Sequence, residues 1–129
     1  LDLAEVCHHE KIGLLSFSPL ACGILSGKYL NNKIPNGTRK SINNSLGNRN
    51  SKLTNLAAEE YFGLAKKYSL DPCQMALSFC LSRPFMTSVI FGATNEIQLL
   101  NNIKSTNLKL EKQHLTEITK IHRKYPIPF

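Results

Sequence analysis

Apolar residues are arranged in two different patterns along this chain. Short apolar runs bounded by glycine or proline predict buried strands at residues 12–17 and 87–91. Elsewhere apolar residues recur every three or four positions, as on one face of a helix. This spacing predicts helices over residues 1–11, 54–68, from 72 onward, 95–103 and 111–124.

Helix start signals strengthen two of these predictions. Asp71 suits the capping position, Pro72 the first helical position and Gln74 the third. Thr94 is expected to cap the helix over residues 95–103.

The order of the elements predicts an α/β fold with parallel strands. Strands that alternate with helices are joined by crossover connections, which make neighbouring strands parallel. Because parallel sheets are covered on both faces and contain more than two strands, further strands are expected from an upstream segment or a partner. The chain begins at Leu1 rather than at a methionine, so we expect that it was processed or cut from something longer.

The composition indicates one folded domain and limits the classes of partner that this chain is expected to bind. The chain has 129 residues, of which 42% are hydrophobic and 19% charged, as in folded domains. No apolar run approaches the ~20 residues that cross a bilayer, and no signal peptide is recognisable, so no membrane partner is expected. Four cysteines without close pairing favour a reducing cytoplasm, with a zinc site as the weaker alternative. The net charge of +7 favours polyanionic partners, which are nucleic acid, phosphate-bearing cofactors or anionic membrane surfaces.

Two turns that follow the predicted strands could hold an anion. Gly92 and Thr94 lead into a helix whose free backbone amides attract phosphate, and Gln98 lies one turn further on the same side. The alternative is an ordinary strand-to-helix connection. After the first strand, a planar ligand could stack on Phe17 while Lys28 meets an anion. The alternative there is that Phe17 belongs to the core.

A polar, basic stretch occupies residues 31–55. It holds eight asparagines and five basic residues but no acidic or aromatic residue, so it is predicted to be a long, mobile surface loop. Nucleic acid is the alternative partner for such charge, but no aromatic residue is available for base stacking, and we expect no nucleic-acid partner. The histidines have no metal-site spacing, and no nucleophile–base or carboxylate pair is recognisable. We therefore expect no metal ligand and no catalytic residue.

Several short motifs resemble the aldo-keto reductase family. Residues 18–23 (SPLACG) and 26–29 (SGKY) resemble the family's segment at its seventh barrel strand, which channel β-subunits share. Residues 92–94 (GAT), with Gln98 and Asn102, resemble its C-terminal cofactor signature. Together, in this order, they identify the chain as a member.

Two further motifs are similar to the Tas-type NADP(H)-dependent branch, namely residues 70–79 (LDPCQMALSF) and 125–128 (YPIP). The resemblance implies a (β/α)8 TIM barrel, of which residues 1–129 supply the C-terminal portion with about strands 7 and 8. The basic stretch 31–55 is a long loop within that portion. Such barrels need ~250 residues, and their loops after strands 7 and 8 commonly bind phosphate.

The resemblance also implies a set of NADP(H) contacts. Phe17 would stack on the nicotinamide, Lys28 would meet the pyrophosphate, and Arg39 with Thr94 and Gln98 would reach the 2′-phosphate. The complete implied set is Phe17, Ser18, Pro19, Leu20, Cys22, Lys28, Arg39, Gly92, Thr94, Gln98, Asn101 and Asn102. Among these, Asn101 and Asn102 would lie at the adenine.

The family's catalytic Asp, Tyr, Lys and His belong to early strands that this chain lacks. The resemblance therefore implies that the complete protein transfers hydride between NADP(H) and a small aldehyde or ketone, whereas this chain alone is inactive. The missing N-terminal barrel portion would be its partner. The alternative is a non-catalytic NADP(H)-binding module that docks on another protein, as channel β-subunits do.

Overall fold

The computed structural model describes residues 2–128, so Leu1 and Phe129 lie outside the described residues. Its helices and strands are α1 (Asp2–His9), β1 (Leu14–Phe17), α2 (Arg39–Asn43), α3 (Lys52–Lys67), α4 (Pro72–Leu81), β2 (Met86–Ile90), α5 (Glu96–Ile103) and α6 (Lys112–Lys124). Short 3-10 helices occur at Ala21–Ser26, Leu30–Asn32 and Lys104–Asn107. The class is mixed helix and strand, as predicted, with boundaries shifted by a few residues. None of the described helices has the length and apolarity that crossing a bilayer requires.

The two strands form one parallel pair, which confirms the predicted pairing. Leu14 pairs with Met86 and Phe17 with Ile90, and a bulge interrupts the register between Leu14 and Leu15. Because the strands run in the same direction and end side by side, the segments that follow them leave from the same edge of the sheet.

The prediction that both strands are buried is wrong for one face of this sheet. Leu15, Phe17 and Ile90 share that face and are 58%, 78% and 53% exposed. Within residues 2–128 nothing covers these side chains, whereas a complete parallel sheet is covered on both faces.

The main core lies among the helices rather than at the sheet. Its buried members come from α3, α4 and α6, and they are Leu64, Ala65, Met75, Ile118 and Ile121. The start of α4 confirms its sequence signal, since the Asp71 side chain accepts a hydrogen bond from the Gln74 amide at 2.9 Å and Pro72 is the first helical residue.

A second core cluster anchors the segments after β1. It contains Ile24, Tyr29, Leu46 and Ala58. The stretch 31–55, predicted as a plain loop, holds helix α2 and the first residues of α3, and its Leu46 is only 2% exposed. Burial of Leu46 is therefore one of the contacts that hold this mostly polar stretch against the rest of the fold.

Residues 124–128 are hydrogen-bonded to α3 and to the residue that caps it. The carboxylate of Glu60 accepts hydrogen bonds from the Lys124 ammonium and, at 2.8 Å, from the Tyr125 hydroxyl. These two bonds, that of Lys124 first, hold the pKa of the Glu60 carboxyl below its ordinary value. Near the start of α3, the hydroxyls of Ser51 and Thr54 donate to the Pro128 carbonyl.

Candidate functional site

The edge where β1 and β2 end carries the candidate site. Phe17 is the last residue of β1 and lies beside Ile90, the last residue of β2. The Phe17 side chain is 78% exposed on the uncovered face, so its ring is open to a planar ligand. The alternative prediction, that Phe17 is buried in the core, is wrong for this structure.

The turn after β1 is held in an unusual backbone conformation. Ser18, Ala21 and Cys22 have φ values of 56°, 47° and 59°, in the left-handed region. This conformation costs ~1–2 kcal/mol for each residue that carries a β-carbon. Hydrogen bonds from the Ala21 amide to the Ser18 carbonyl and from the Gly23 amide to the Leu20 carbonyl, both 2.9 Å, fasten the turn. Backbone strain of this kind concentrates at binding and catalytic sites.

Positive charge gathers beside this turn. The ammonium groups of Lys28 and Lys40 lie 5.5 and 6.0 Å from the centre of the Tyr29 ring, within cation–π range. The Arg49 guanidinium donates to the Gly47 carbonyl at 3.0 Å and approaches the Cys22 sulfur at 3.9 Å. In the turn itself, Pro19, Leu20 and Cys22 are half-buried, whereas Ser18 is exposed.

The local sequence supplies no acidic neighbour for this charge. Between Glu10 and Glu59 the chain has seven basic residues and no acidic residue. Among residues 2–128, no carboxylate oxygen lies within 4.0 Å of the charged groups of Lys28, Arg39 or Lys40. Lys28 and Lys40, which approach the same ring without a carboxylate partner, suit an anionic ligand.

The turn after β2 differs from its prediction in one detail. Asn95, not Thr94, caps α5, and its side-chain oxygen accepts from the Gln98 amide at 2.9 Å. Thr94 lies one residue too early for that role, and its amide and hydroxyl both donate to the Gln98 side-chain oxygen at 3.1 Å. A β-carbon at Gly92 would meet no described atom within 4 Å, so the backbone is open to approach there.

Of the two predicted adenine contacts, Asn101 is half-buried and Asn102 is buried. Asn101 accepts a hydrogen bond from the Gln74 side chain at 2.7 Å, which ties α5 to α4. Asn102 is only 3% exposed. The structure therefore brings the turns after β1 and β2 to one edge but gives these two asparagines packing positions.

Sequence reasoning missed Tyr29 and Lys40 as members of the site. The SGKY motif placed Tyr29 next to Lys28, but only the fold brings Lys40 to the same ring. Lys40 stands beside the predicted Arg39 at the start of α2, and the Arg39 side chain is exposed.

The Cys73 thiol is held in its neutral form. Burial, and secondarily the charge of Asp71, raises the pKa of the Cys73 thiol to about 11, which leaves it protonated and a poor nucleophile at neutral pH. Lys28 opposes this shift. Among residues 2–128, no three His, Cys, Asp or Glu side chains are grouped to hold a metal ion.

Comparison with known proteins decides the family. The model of the "Aldo/keto reductase family" matches residues 1–123. The chain belongs to this family. This chain is 40% identical over 128 residues to "Protein tas" of Escherichia coli. The matched region covers 99% of this chain and 37% of that protein.

Two further relatives carry different names. A "Probable voltage-gated potassium channel subunit beta" of Arabidopsis thaliana is 36% identical over 100 residues, covering 75% of this chain and 30% of that protein. An "Aldo-keto reductase" of Babesia bovis is 31% identical over 131 residues, covering 96% of this chain and 46% of that protein. The chain therefore spans less than half the length of these curated relatives.

Proposed function

We propose that this chain is the NADP(H)-binding, C-terminal portion of an aldo-keto reductase whose complete form is a (β/α)8 barrel. In this proposal β1 and β2 are the seventh and eighth barrel strands. The observation that carries it is the parallel pairing of β1 with β2, which opens the two motif-bearing turns on the same edge of the sheet. That edge is where barrel enzymes of this type bind phosphate.

The residues present fit a phosphorylated dinucleotide. The exposed ring of Phe17 offers a flat surface for the nicotinamide, and Lys28 is the cation proposed for the pyrophosphate. Arg39 pairs with the 2′-phosphate, because a guanidinium binds a phosphate through two parallel hydrogen bonds. Thr94, in the turn before α5, and Gln98, in the first turn of α5, complete that end of the proposed site, and their side chains already contact each other.

The remaining proposed contacts differ in how accessible they are. Gly92 and the backbone of residues 18–22 line the path between the two ends of the dinucleotide. Asn101 and Asn102 remain proposed adenine contacts, but Asn102 must first become accessible, because its side chain is buried in this structure.

The chemistry follows from what the bound cofactor supplies and what the chain holds in place. Bound nicotinamide would supply the hydride that reduces a small aldehyde or ketone. This chain would orient the ring on Phe17 and neutralise the phosphates. Protonation of the carbonyl oxygen is assigned to residues of the missing barrel portion, so the chain alone is proposed to bind but not to reduce.

Matched arginine variants test the cofactor proposal. NADPH and NADH are titrated against the wild-type chain, with the fluorescence of bound nicotinamide as the signal and circular dichroism as the check on folding. Arg39→Gln should weaken NADPH binding about tenfold or more, the effect of losing a charged hydrogen bond, and leave NADH unchanged. Arg123→Gln removes the same charge from the exposed end of α6 and should change neither. A folded chain that does not prefer NADPH contradicts the proposal.

The second candidate is an NADP(H)-binding module without catalysis that docks on another protein. The matched relative named as a potassium channel subunit beta favours it. The complete proteins would differ: a reductase oxidises bound NADPH when an aldehyde is added, whereas a docking module keeps it. The cytoplasmic location remains a prediction.

A further inference from the structure

Tyr29 is an aromatic residue at the border of the basic stretch, and it has two functions in the fold. Its ring is packed with Ile24, Leu46 and Ala58 and is only 6% exposed. Its hydroxyl accepts a hydrogen bond from the Lys40 amide at 3.5 Å, across eleven positions of the sequence. Tyr29 therefore connects the second core cluster to helix α2.

The bond between Tyr29 and Lys40 matters because the segment between them packs little against the rest of the fold. Residues 31–37 are all exposed, and Asn31, Asn32 and Gly37 have left-handed φ values of 56°, 58° and 74°. An exposed segment of this kind does not by itself set the distance between its ends. The Tyr29 hydroxyl holds the backbone at Lys40, and Arg39 is the residue directly before it.

The Tyr29 ring also orders the charges around it. The ammonium of Lys28 lies 5.5 Å from the ring centre and that of Lys40 lies 6.0 Å from it. Like charges near one ring repel each other, and the contact with the ring's negative face offsets part of that repulsion. One buried side chain thus meets the cation proposed for the pyrophosphate and the neighbour of the cation proposed for the 2′-phosphate.

We propose that Tyr29 is a positioning residue that fixes the spacing between Lys28 and Arg39 and thereby favours NADPH over NADH. This inference rests on the proposed function, since it assigns Tyr29 to the same cofactor site. Tyr29 acts on the two cations and not on a phosphate. It places the two cations before the ligand arrives, so that less ordering is needed on binding.

Removal of one hydroxyl tests the proposal. Tyr29→Phe keeps the ring and its packing but removes the acceptor for the Lys40 amide. We expect NADPH binding to weaken about threefold, a modest loss that suits a long hydrogen bond, with NADH binding unchanged. Tyr125→Phe is the matched control, because it removes a hydroxyl bonded to Glu60 away from this site and should leave both affinities unchanged. Thermal melts establish that both variants are folded.

A double-mutant cycle separates positioning from general structural support. If Tyr29 acts through Arg39, Tyr29→Phe should have no further effect on NADPH binding in the Arg39→Gln chain. A threefold loss that persists in that chain overturns the proposal, as does an equal loss for NADH or no loss in the single variant. A folded wild-type chain that does not prefer NADPH overturns the proposed function and this inference together. Preference for NADPH in wild type with no effect of Tyr29→Phe overturns this inference alone.

Discussion

Replacing Gly27 by alanine tests how the segment after β1 packs against α3. Gly27 follows the 3-10 helix Ala21–Ser26 with a φ of 80°, in the left-handed region. An added β-carbon would lie 2.4 Å from Cδ2 and 2.5 Å from Cε2 of Phe62, a half-buried residue of α3. Both distances are far below van der Waals contact, so either the Phe62 ring or the backbone must move.

The expected cost has two parts. Holding alanine in a left-handed conformation costs ~1–2 kcal/mol. Forcing an extra carbon into a packed contact costs a further ~1–3 kcal/mol. The sum, about 2–5 kcal/mol, is a large part of the ~5–15 kcal/mol that stabilises an ordinary domain. Gly27→Ala should therefore lower the free energy of unfolding severely.

A second glycine in the same conformation provides the control. Gly37 has a φ of 74°, but a β-carbon there would meet no described atom within 4 Å. Gly37→Ala should cost only the conformational part, ~1–2 kcal/mol. Urea unfolding followed by circular dichroism gives both free energies under one protocol. Equal losses in the two variants would refute the argument that the Phe62 contact fixes this segment.

Three further changes have expected outcomes. Gly63 lies at an exposed, open position within α3, so Gly63→Ala should raise the free energy of unfolding by ~0.5–1 kcal/mol. The urea midpoint should rise accordingly, and a lower midpoint contradicts this prediction. Because the bond from Lys124 lowers the pKa of Glu60, the unfolding free energy should fall as the pH drops below 4.5, and less so in Glu60→Gln than in the control Glu59→Gln. Burial raises the pKa of Cys73 to about 11, so iodoacetamide at pH 8 should modify it in urea but not in the folded chain, as mass spectrometry would reveal.

Local rules predicted those parts of the fold whose cause is local. At the start of α4, Asp71 accepts the Gln74 amide and Pro72 has no amide hydrogen to satisfy. These residues lie within four positions of the sequence, so the sequence alone was enough to predict this helix start. The cap of α5 shows the limit of such rules. Thr94 and Asn95 both have suitable side chains, and Asn95 is the cap because α5 begins at the next residue, Glu96.

Tertiary packing determines what the sequence could not predict. The polar stretch 31–55 contains four large apolar residues, and no periodicity marks Leu46 rather than Ile34, Ile42 or Leu53 as the buried one. The 2% exposure of Leu46 arises because Ile24, Tyr29 and Ala58 come together from distant segments. The strands present the opposite case: their apolar pattern predicted burial, but burial also requires covering elements, which residues 2–128 do not provide for one face.

The candidate site was predictable to the extent that topology fixes it. Parallel pairing alone places the exits after Phe17 and Ile90 at one edge. The approach of Lys40 to the Tyr29 ring depends instead on how the stretch 31–55 folds back, which composition does not reveal. Burial of Asn102 likewise depends on the packing around α5.

The location of the cores explains how the proposed site is ordered beside an uncovered sheet. The cluster of Ile24, Tyr29, Leu46 and Ala58 fastens both the turn after β1 and the basic stretch to α3. The cations therefore take their positions from the helical layer and not from the exposed strand face. Under the proposed function, disruption of this cluster should therefore weaken the proposed phosphate contacts even where the two strands stay paired. The proposed nicotinamide contact should depend instead on what covers the face that carries Phe17.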